Sequence, residues 1–431
     1  GCGVASGISA VFNAPITGVM FAIEVILVGV VFSDFIPLII ASVSGALLSK
    51  VILDDSILFE FKSLKEFDHR NVLYYICLGV ACGLISVYYS RVTRKIEHFF
   101  HDDLKWNGYT KAVFGGLTIA LLCFIFPPLF GEGYSSVKLL ASGNPLSILK
   151  GTFFYSGNHT DWLLLLFVGM ICLTKVMATS LTLASGGSGG NFAPSLFTGA
   201  FLGFFFSFLV NKLGLANLPV NNFTLVGMCG ILSGVMYAPL TGIFLIAEIT
   251  GGYELIIPLM LVATASYTIA KIFEPHSMDV VELAKGKKIF TENYDENILS
   301  IIKTHEIVDT DYDEIKANST LSELMKTIRL SERHLIVVRN EEGRFEGFIN
   351  FDKVRKLLLD PELKDTLTVS ELMSKGKIRA DVNTPIVHLV EHFDKSDIWF
   401  IPAFEKDLFI GFLSRTKLLA AYRNKLKLTV S

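Results

Sequence analysis

The stretch that most constrains this 431-residue chain is Ala184-Ser185-Gly186-Gly187-Ser188-Gly189-Gly190-Asn191-Phe192-Ala193-Pro194. Apolar runs flank it, Trp162 to Leu181 before and Phe197 to Val210 after, so the glycines fall where a bilayer would be expected. Unpaired backbone groups are costly in hydrocarbon, and irregular Gly-rich backbone is tolerated at membrane depth only where it lines a protein-enclosed cavity or water path. A helix restarting at about Phe192, with Pro194 in its first turn, opens with N–H groups that have no intrahelical acceptor, and proline fits there because its missing N–H is not needed. The bare N–H groups and partial positive charge of such a start attract an anion without a buried Lys or Arg. A Gly-rich turn between close-packed transmembrane helices is the competing reading. A nucleotide-phosphate loop would need Lys-Ser/Thr after its last glycine, whereas Asn191-Phe192 follows Gly190.

Hydrophobic residues make up 51% of the chain and 35 are Phe, too apolar on average for a soluble protein. Residues 1 to about 273 are dense in apolar runs, while 274 to 431 hold most of the charges, so a membrane domain precedes a soluble one. A net charge of −3 gives no reason to expect a nucleic-acid partner. Cysteines 2, 77, 82, 123, 172 and 229 lie in apolar segments without paired spacing and read as free packing thiols. The chain opens at Gly1 inside an apolar element with no Met and no signal, so further sequence is expected upstream.

The apolar spans are Gly3 to Val30, broken at Asn13-Ala14-Pro15, then Ile36 to Leu53, Val72 to Ser90, Ala112 to Phe130, Trp162 to Leu181, Ala193 to Val210, a broken pair from Thr224 to Ile249, and Leu255 to Ile272. Several approach the ~20 residues that cross a bilayer, and the others predict tilted or re-entrant helices. An internal repeat organises them: Gly3 to Gly18, followed by Glu24, returns as Gly227 to Gly242, followed by Glu248, with Gly, Ser, Val, Ala-Pro, Thr-Gly and Glu at a constant offset of 224. Interrupted helices at matching positions of two halves mark a transporter or channel built from structural repeats.

Ionisable groups in the spans are few: Glu24, Glu248 and Lys175. The equivalent positions of the two glutamates favour a shared structural role as buried acids, such as capping backbone at the helix breaks. Lys175 is read either as part of the anion field or as a snorkelling side chain. The connector Arg91 to Lys111, with His98, His101, Asp102 and Asp103, reads as a solvated amphipathic segment rather than a metal site, and Asn158-His159-Thr160 is a chance-level glycosylation sequon.

The soluble part is doubled at an offset of 64. Ser319-Thr320 caps a helix through Ile328, followed by strands Leu335 to Val338 and Phe345 to Ile349 and a helix from Phe351. Thr384-Pro385 begins the second copy, with strands Ile398 to Ile401 and Leu408 to Leu413 and a helix Arg415 to Tyr422. A linker helix is expected within Asp279 to Thr304.

Gly190-Asn191-Phe192-Ala193-Pro194 resembles the G-x-F-x-P anion-filter motif of the CLC chloride channels and chloride/proton antiporters. Phe12 to Gly18 with Phe21-Ala22-Ile23-Glu24 resembles the segment after that family's gating-glutamate motif, and Gly131-Glu132-Gly133-Tyr134 resembles its G-x-G-Y turn. The tail is similar to the paired CBS domains that many members carry. The resemblance implies an α-helical membrane protein with an inverted repeat and broken helices over 1–278, a linker at 279–304, and a cytoplasmic α/β tandem CBS domain over 305–431, its copies at about 305–362 and 366–425. It implies a homodimer in the cell (plasma) membrane that moves chloride, not an enzyme, with no cofactor and with chloride bound by the N–H groups of Asn191 and Phe192. The family's G-S-G-I-P and G-R/K-E-G-P motifs would lie upstream of Gly1.

Three departures bear on mechanism. The inner proton-transfer carboxylate of the antiporters falls on Val25, which cannot relay a proton and favours a passive, voltage-gated-type channel over exchange. The tyrosine that reaches the central anion falls on Asp279, making that carboxylate a candidate inner gate that would repel chloride unless protonated or turned away. In the tail, Lys353 and Lys417 stand where a ribose-binding Asp is expected, near Asn350 and Ser414, leaving a phosphate contact or a purely structural dimerisation domain as readings. The alternatives are a chloride/proton antiporter and a CBS-regulated cation transporter, the latter needing more acids in the path than Glu24 and Glu248.

Overall fold

The computed structural model describes residues 1–26, 35–53, 65–141, 145–149, 152, 161–281, 298–299, 302–331, 333–355, 367–376, 378–395 and 398–430. Two compact units divide the chain, Gly1–Gly286 and Lys287–Ser431.

The first unit is helical: α1 (Cys2–Phe12), α2 (Pro15–Phe21) running into a π turn at Ala22–Ile26, α3 (Phe35–Leu53), α4 (Val72–His98) with a π turn at Phe99–Asp103, α5 (Gly108–Ile125), α6 (Tyr134–Ala141), α7 (Asp161–Ala184), α8 (Phe192–Lys212), α9 (Val220–Met236), α10 (Pro239–Ile249) and α11 (Ile256–Phe273). Among the described residues six helical segments are long and apolar enough to cross a membrane: those containing α3, α4, α5, α7, α8 and α11. Helix α9 is the hub, buried at every residue from Asn222 to Met236. Its contact with α8 is nearly backbone to backbone, because a Cβ on Gly199 would sit 2.4 Å from the Gly227 carbonyl oxygen and one on Gly203 2.1 Å from that of Phe223. Close approach of this kind replaces the hydrophobic drive that is missing between helices in lipid.

The repeat is visible in the backbone. Asn13 (φ 51°) ends α1 and Tyr237 (φ 57°) ends α9, each in the left-handed region and each followed by Ala-Pro at the start of the next helix. Asn tolerates that conformation, while Tyr237 is held in it by donating its hydroxyl to the Glu274 carbonyl and packing edge-on against Tyr267. The N–H groups exposed at the two Pro-led starts are satisfied reciprocally. Glu24 accepts from the N–H of Leu240 (2.9 Å) and Thr241 (2.7 Å) and from the Thr241 hydroxyl (2.7 Å). Glu248 accepts from the N–H of Ile16 (2.9 Å) and Thr17 (2.8 Å) and from the Thr17 hydroxyl (2.6 Å). Both carboxylates are half-buried rather than buried, since each lies at the junction of α2 with α10.

Two further expectations change. The segment from Arg91 is not a solvated connector at its start: α4 continues through His98, because Arg91 (2.8 Å) and Arg94 (2.6 Å) pair with Glu274 at the end of α11. Lys175 does not snorkel. It is buried, donates to the carbonyls of Leu129 (3.2 Å) and Gly131 (2.7 Å), and lies 4.7 Å over the Phe197 ring. The sequon at Asn158 and residues 282–297 of the linker lie outside the described residues.

The second unit holds two sheets, β2-β3-β4 and β1-β7-β6-β5. The first sheet joins β2 (Asp313–Lys316), β3 (Leu335–Arg339) and β4 (Phe345–Asn350), and the second joins β1 (Val308–Asp309), β5 (Ala380–Asp381), β6 (Phe400–Glu405) and β7 (Leu408–Ser414). Each has a parallel pair and an antiparallel hairpin with an irregular register, and the modules share the order strand, helix, hairpin, helix. The helices are α12 (Leu321–Leu330, capped by Thr320 and Glu323), α13 (Phe351–Val354), the short α14 (Val369–Leu372), α15 (Ile386–Lys395) and α16 (Arg415–Val430). Stacked Phe345 and Phe409 (4.2 Å) and edge-on Phe348 and Phe412 (5.3 Å) join the sheets. Gly411 leaves room for β1, since a Cβ there would meet the Asp309 carbonyl oxygen at 2.1 Å.

Glu24→Ala and Glu248→Ala should each lower stability by about 1–3 kcal/mol, the cost of an uncapped helix start. Because both open the same α2–α10 junction, the double variant should lose less than the sum, measured as thermal midpoints in detergent.

Burial alone would raise the Glu274 carboxyl, but the hydrogen bonds from Arg91 and Arg94 prevail and hold it below the usual carboxylate range. A carboxyl depressed in the folded state stabilises above its unfolded pKa and loses that contribution as pH falls through the folded value. Glu274→Gln should therefore flatten the acid limb of the stability–pH curve, and an unchanged limb would remove this ion cluster as its source.

Candidate functional site

Helix α7 ends because Gly186 turns left-handed (φ 98°), its N–H meeting the Leu183 carbonyl (3.2 Å) and that of Gly187 the Thr182 carbonyl (2.9 Å). The chain then runs non-helically to Asn191, with Gly186 to Gly190 exposed and Asn191 to Pro194 half-buried. Helix α8 begins at Phe192, and its first internal bond is from the Ser195 N–H to the Asn191 carbonyl (3.0 Å). Among the described residues, the N–H groups from Ser188 to Ala193 meet no hydrogen-bond acceptor, and Asn191 makes no side-chain cap. A run of bare amides at the positive end of a 21-residue helix is a ready anion cradle.

Aromatic packing fixes where the cradle sits. The Phe192 ring lies between Phe12 (5.4 Å) and Phe21 (5.3 Å), which tie the start of α8 to the first copy of the repeat. Gly131-Glu132-Gly133-Tyr134 packs one turn further on, where Gly133 (φ 81°) must be glycine because a Cβ would meet the Phe197 ring at 2.3 Å. Lys175 clamps the same turn through its two carbonyl contacts.

The Asn191 side chain is tied to α4. Its Oδ1 accepts from the hydroxyl of fully buried Tyr89 of α4 (3.2 Å), which also meets Thr179 of α7. The Asp279 carboxyl lies near Asn191, just beyond α11. Desolvation by the surrounding protein raises the Asp279 carboxyl and the Asn191 hydrogen bond opposes it. The Asp279 side chain keeps an edge exposed. Sequence reasoning found Asp279 but missed Tyr89 and Thr179, which are two hydroxyls within apolar spans and carry no local motif.

The other singled-out positions lie apart. Val25 sits half-buried in the π turn beside Glu24. In the second unit Ser414 lines a cavity of about 160 Å³ with Asp309, Asp311, Tyr312, Arg333 and His334. Lys417 pairs with Asp309 (3.0 Å), Arg333 pairs with Asp311, and Asn350 ends β4. The Lys353 side chain is outside the described residues.

Residues 1–271 match the family described as voltage gated chloride channel. The chain is 31% identical to chloride channel protein CLC-e of Arabidopsis thaliana over 60% of its own length and 38% of that protein's. It is 31% identical to the H(+)/Cl(-) exchange transporter ClcA of Salmonella paratyphi B over 62% of its own length and 54% of the relative's. The chain therefore spans about half the length of these curated relatives. Among solved structures, a slow cyanobacterial Cl-/H+ antiporter superposes with a TM-score of 0.50 at 18% identity, covering 66% of this chain and 64% of that one. A eukaryotic CLC transporter gives 0.50 at 16% identity, covering 96% and 69% respectively. With the helical fold, the doubled Ala-Pro breaks and the bare amides of α8 already in place, the match over residues 1–271 makes this chain an integral, multi-pass member of the voltage gated chloride channel family.

Proposed function

We propose that this protein moves chloride or a similar small anion across a membrane, holding it on the backbone N–H groups of Gly190 to Ala193, chiefly those of Asn191 and Phe192. The observation that carries the reading is that, among the described residues, these amides open α8 without an acceptor, while the Pro-led starts of α2 and α10 are each closed by a glutamate. Proton-coupled exchange is the mode we favour, supported by the exchange transporter and antiporter among the relatives. Val25, in place of a proton-relaying carboxylate, supports a passive channel as the second reading.

The second unit is proposed as a cytoplasmic tandem CBS module in a homodimer of the cell membrane, with domains at 1–278 and 305–431 joined by 279–304. Its cleft supports a structural role over adenine nucleotide binding, since Lys417 and Arg333 are already paired with Asp309 and Asp311. The cation-transporter alternative loses support because Glu24 and Glu248 are occupied in capping.

Phe192→Pro removes one donor at a position that accepts proline, and Phe192→Leu removes the ring alone. Loss of a hydrogen bond to a charged ligand costs about 1.5–3 kcal/mol, so the proline variant should bind chloride roughly 10–100-fold more weakly than the leucine variant by calorimetry. Equal affinities would move the anion elsewhere.

In liposomes, a chloride gradient imposed on the purified full chain should drive protons uphill. Chloride flux without proton movement would select the channel reading, and no anion flux would reject both.

A further inference from the structure

The helical segment that contains α4, His69–Asp103, is 35 residues long. At ~1.5 Å per residue that is about 50 Å against ~30 Å of hydrocarbon, so its last turns stand among lipid headgroups. Exposed Trp106 and Tyr109, which follow it, are side chains that settle at the same level. At this end a cavity of about 730 Å³ opens between α4, α5 and the last turn of α7. That is within the ~300–1,000 Å³ usual for pockets that take small molecules.

The two sides of the cavity differ in chemistry. Phe100, Phe114, Thr118 and Leu181 make an apolar side, which continues along α5 through exposed Val113, Leu117, Leu121 and Phe124. Arg94, Lys95 and His98 of α4 make the other. Positive charge there is in excess, because Arg91 and Arg94 share the one Glu274 carboxylate and the Lys95 side chain forms no ion pair among the described residues. The nearby acids Asp102 (3.4 Å) and Asp103 (3.7 Å) lie against His98 instead. An apolar slot with a cationic edge at headgroup depth has the polarity of one membrane leaflet. The basic run Arg91, Arg94, Lys95, Lys105 and Lys111 favours the cytoplasmic leaflet, where anionic lipids concentrate.

We propose that this cavity is a binding site for an anionic phospholipid, an acyl chain lying against Phe114, Thr118 and Leu181 and the phosphate against Arg94 and Lys95. The site differs from the anion cradle in ligand and residues and does not rest on it. The two are nevertheless neighbours: a Cβ on Gly115 would meet the Ser185 side chain at 2.3 Å, so α5 lies directly on the start of the glycine-rich stretch. A lipid in the slot fills the space beside that contact and holds α5 against α7.

The test is native mass spectrometry of the full chain, delipidated in an uncharged detergent and titrated with phosphatidylglycerol or phosphatidylcholine of the same acyl chains. Wild type should retain phosphatidylglycerol in preference to phosphatidylcholine. Lys95→Gln should weaken phosphatidylglycerol about fivefold, the effect of one basic residue near an anionic surface, and leave phosphatidylcholine unchanged. Lys95→Arg should keep the wild-type preference. Thr118→Trp, which fills the apolar side and leaves the basic edge intact, should also lose the preference. Glycerol phosphate, which has the charge without the chains, should not displace the lipid, and displacement would make this a site for free phosphate and overturn the lipid reading. Equal retention of the two lipids by wild type, or a preference unchanged in either Lys95→Gln or Thr118→Trp, overturns the proposal.

Discussion

Satisfying backbone N–H groups at broken helices is the constraint on which the first unit depends. Helices α2 and α10 open on a proline after a helix break, and α8 opens after the glycine-rich stretch with Pro194 as its third residue. Such starts cannot be left buried without a negative partner. At α2 and α10 the partner is a carboxylate reaching over from the opposite repeat copy, so the two copies close each other and the α2–α10 junction becomes a rigid frame. At α8 no side chain among the described residues takes that place, and the frame presents the open start through Phe12 and Phe21 against Phe192. Built-in carboxylates hold two starts, and an exchangeable anion suits the third.

How much of this could be read beforehand follows from how local each cause is. The helix break at Asn13 and its copy at Tyr237 are legible because Ala-Pro and the flanking Gly and Glu recur at one spacing, and the start of α8 is legible because Gly-rich backbone followed by Pro admits few conformations. The hairpin strands of the second unit are readable for the same reason, although β6 runs Phe400–Glu405 rather than 398–401, whereas the short β1, β2 and β5 carry no such local signal. Contacts across the sequence were not. Tyr89 and Asn191 are 102 residues apart, and nothing around Tyr89 distinguishes it from Tyr88. The continuation of α4 past Arg91 was hidden because its cause, Glu274, lies 183 residues away. Charge in that stretch suggested water, whereas pairing keeps it helical. Lys175 shows the same limit: its acceptors are main-chain oxygens, which no side-chain pattern reveals.

The use made of Lys175 bears on why amides rather than a cation are left for the ligand. A lysine on α7, the helix that leads into the glycine-rich stretch, could have supplied a full positive charge, yet its Nζ is consumed by the carbonyls of the 129–131 turn and by the Phe197 ring. In a low-dielectric interior a full charge would hold an anion far more strongly than partial charges do. Passage requires binding strong enough to replace hydration but weak enough to release. In the proposed site, bare amides at a helix start would provide that intermediate strength, and because their dipoles are fixed by the fold, no ordering would be needed for an anion to bind.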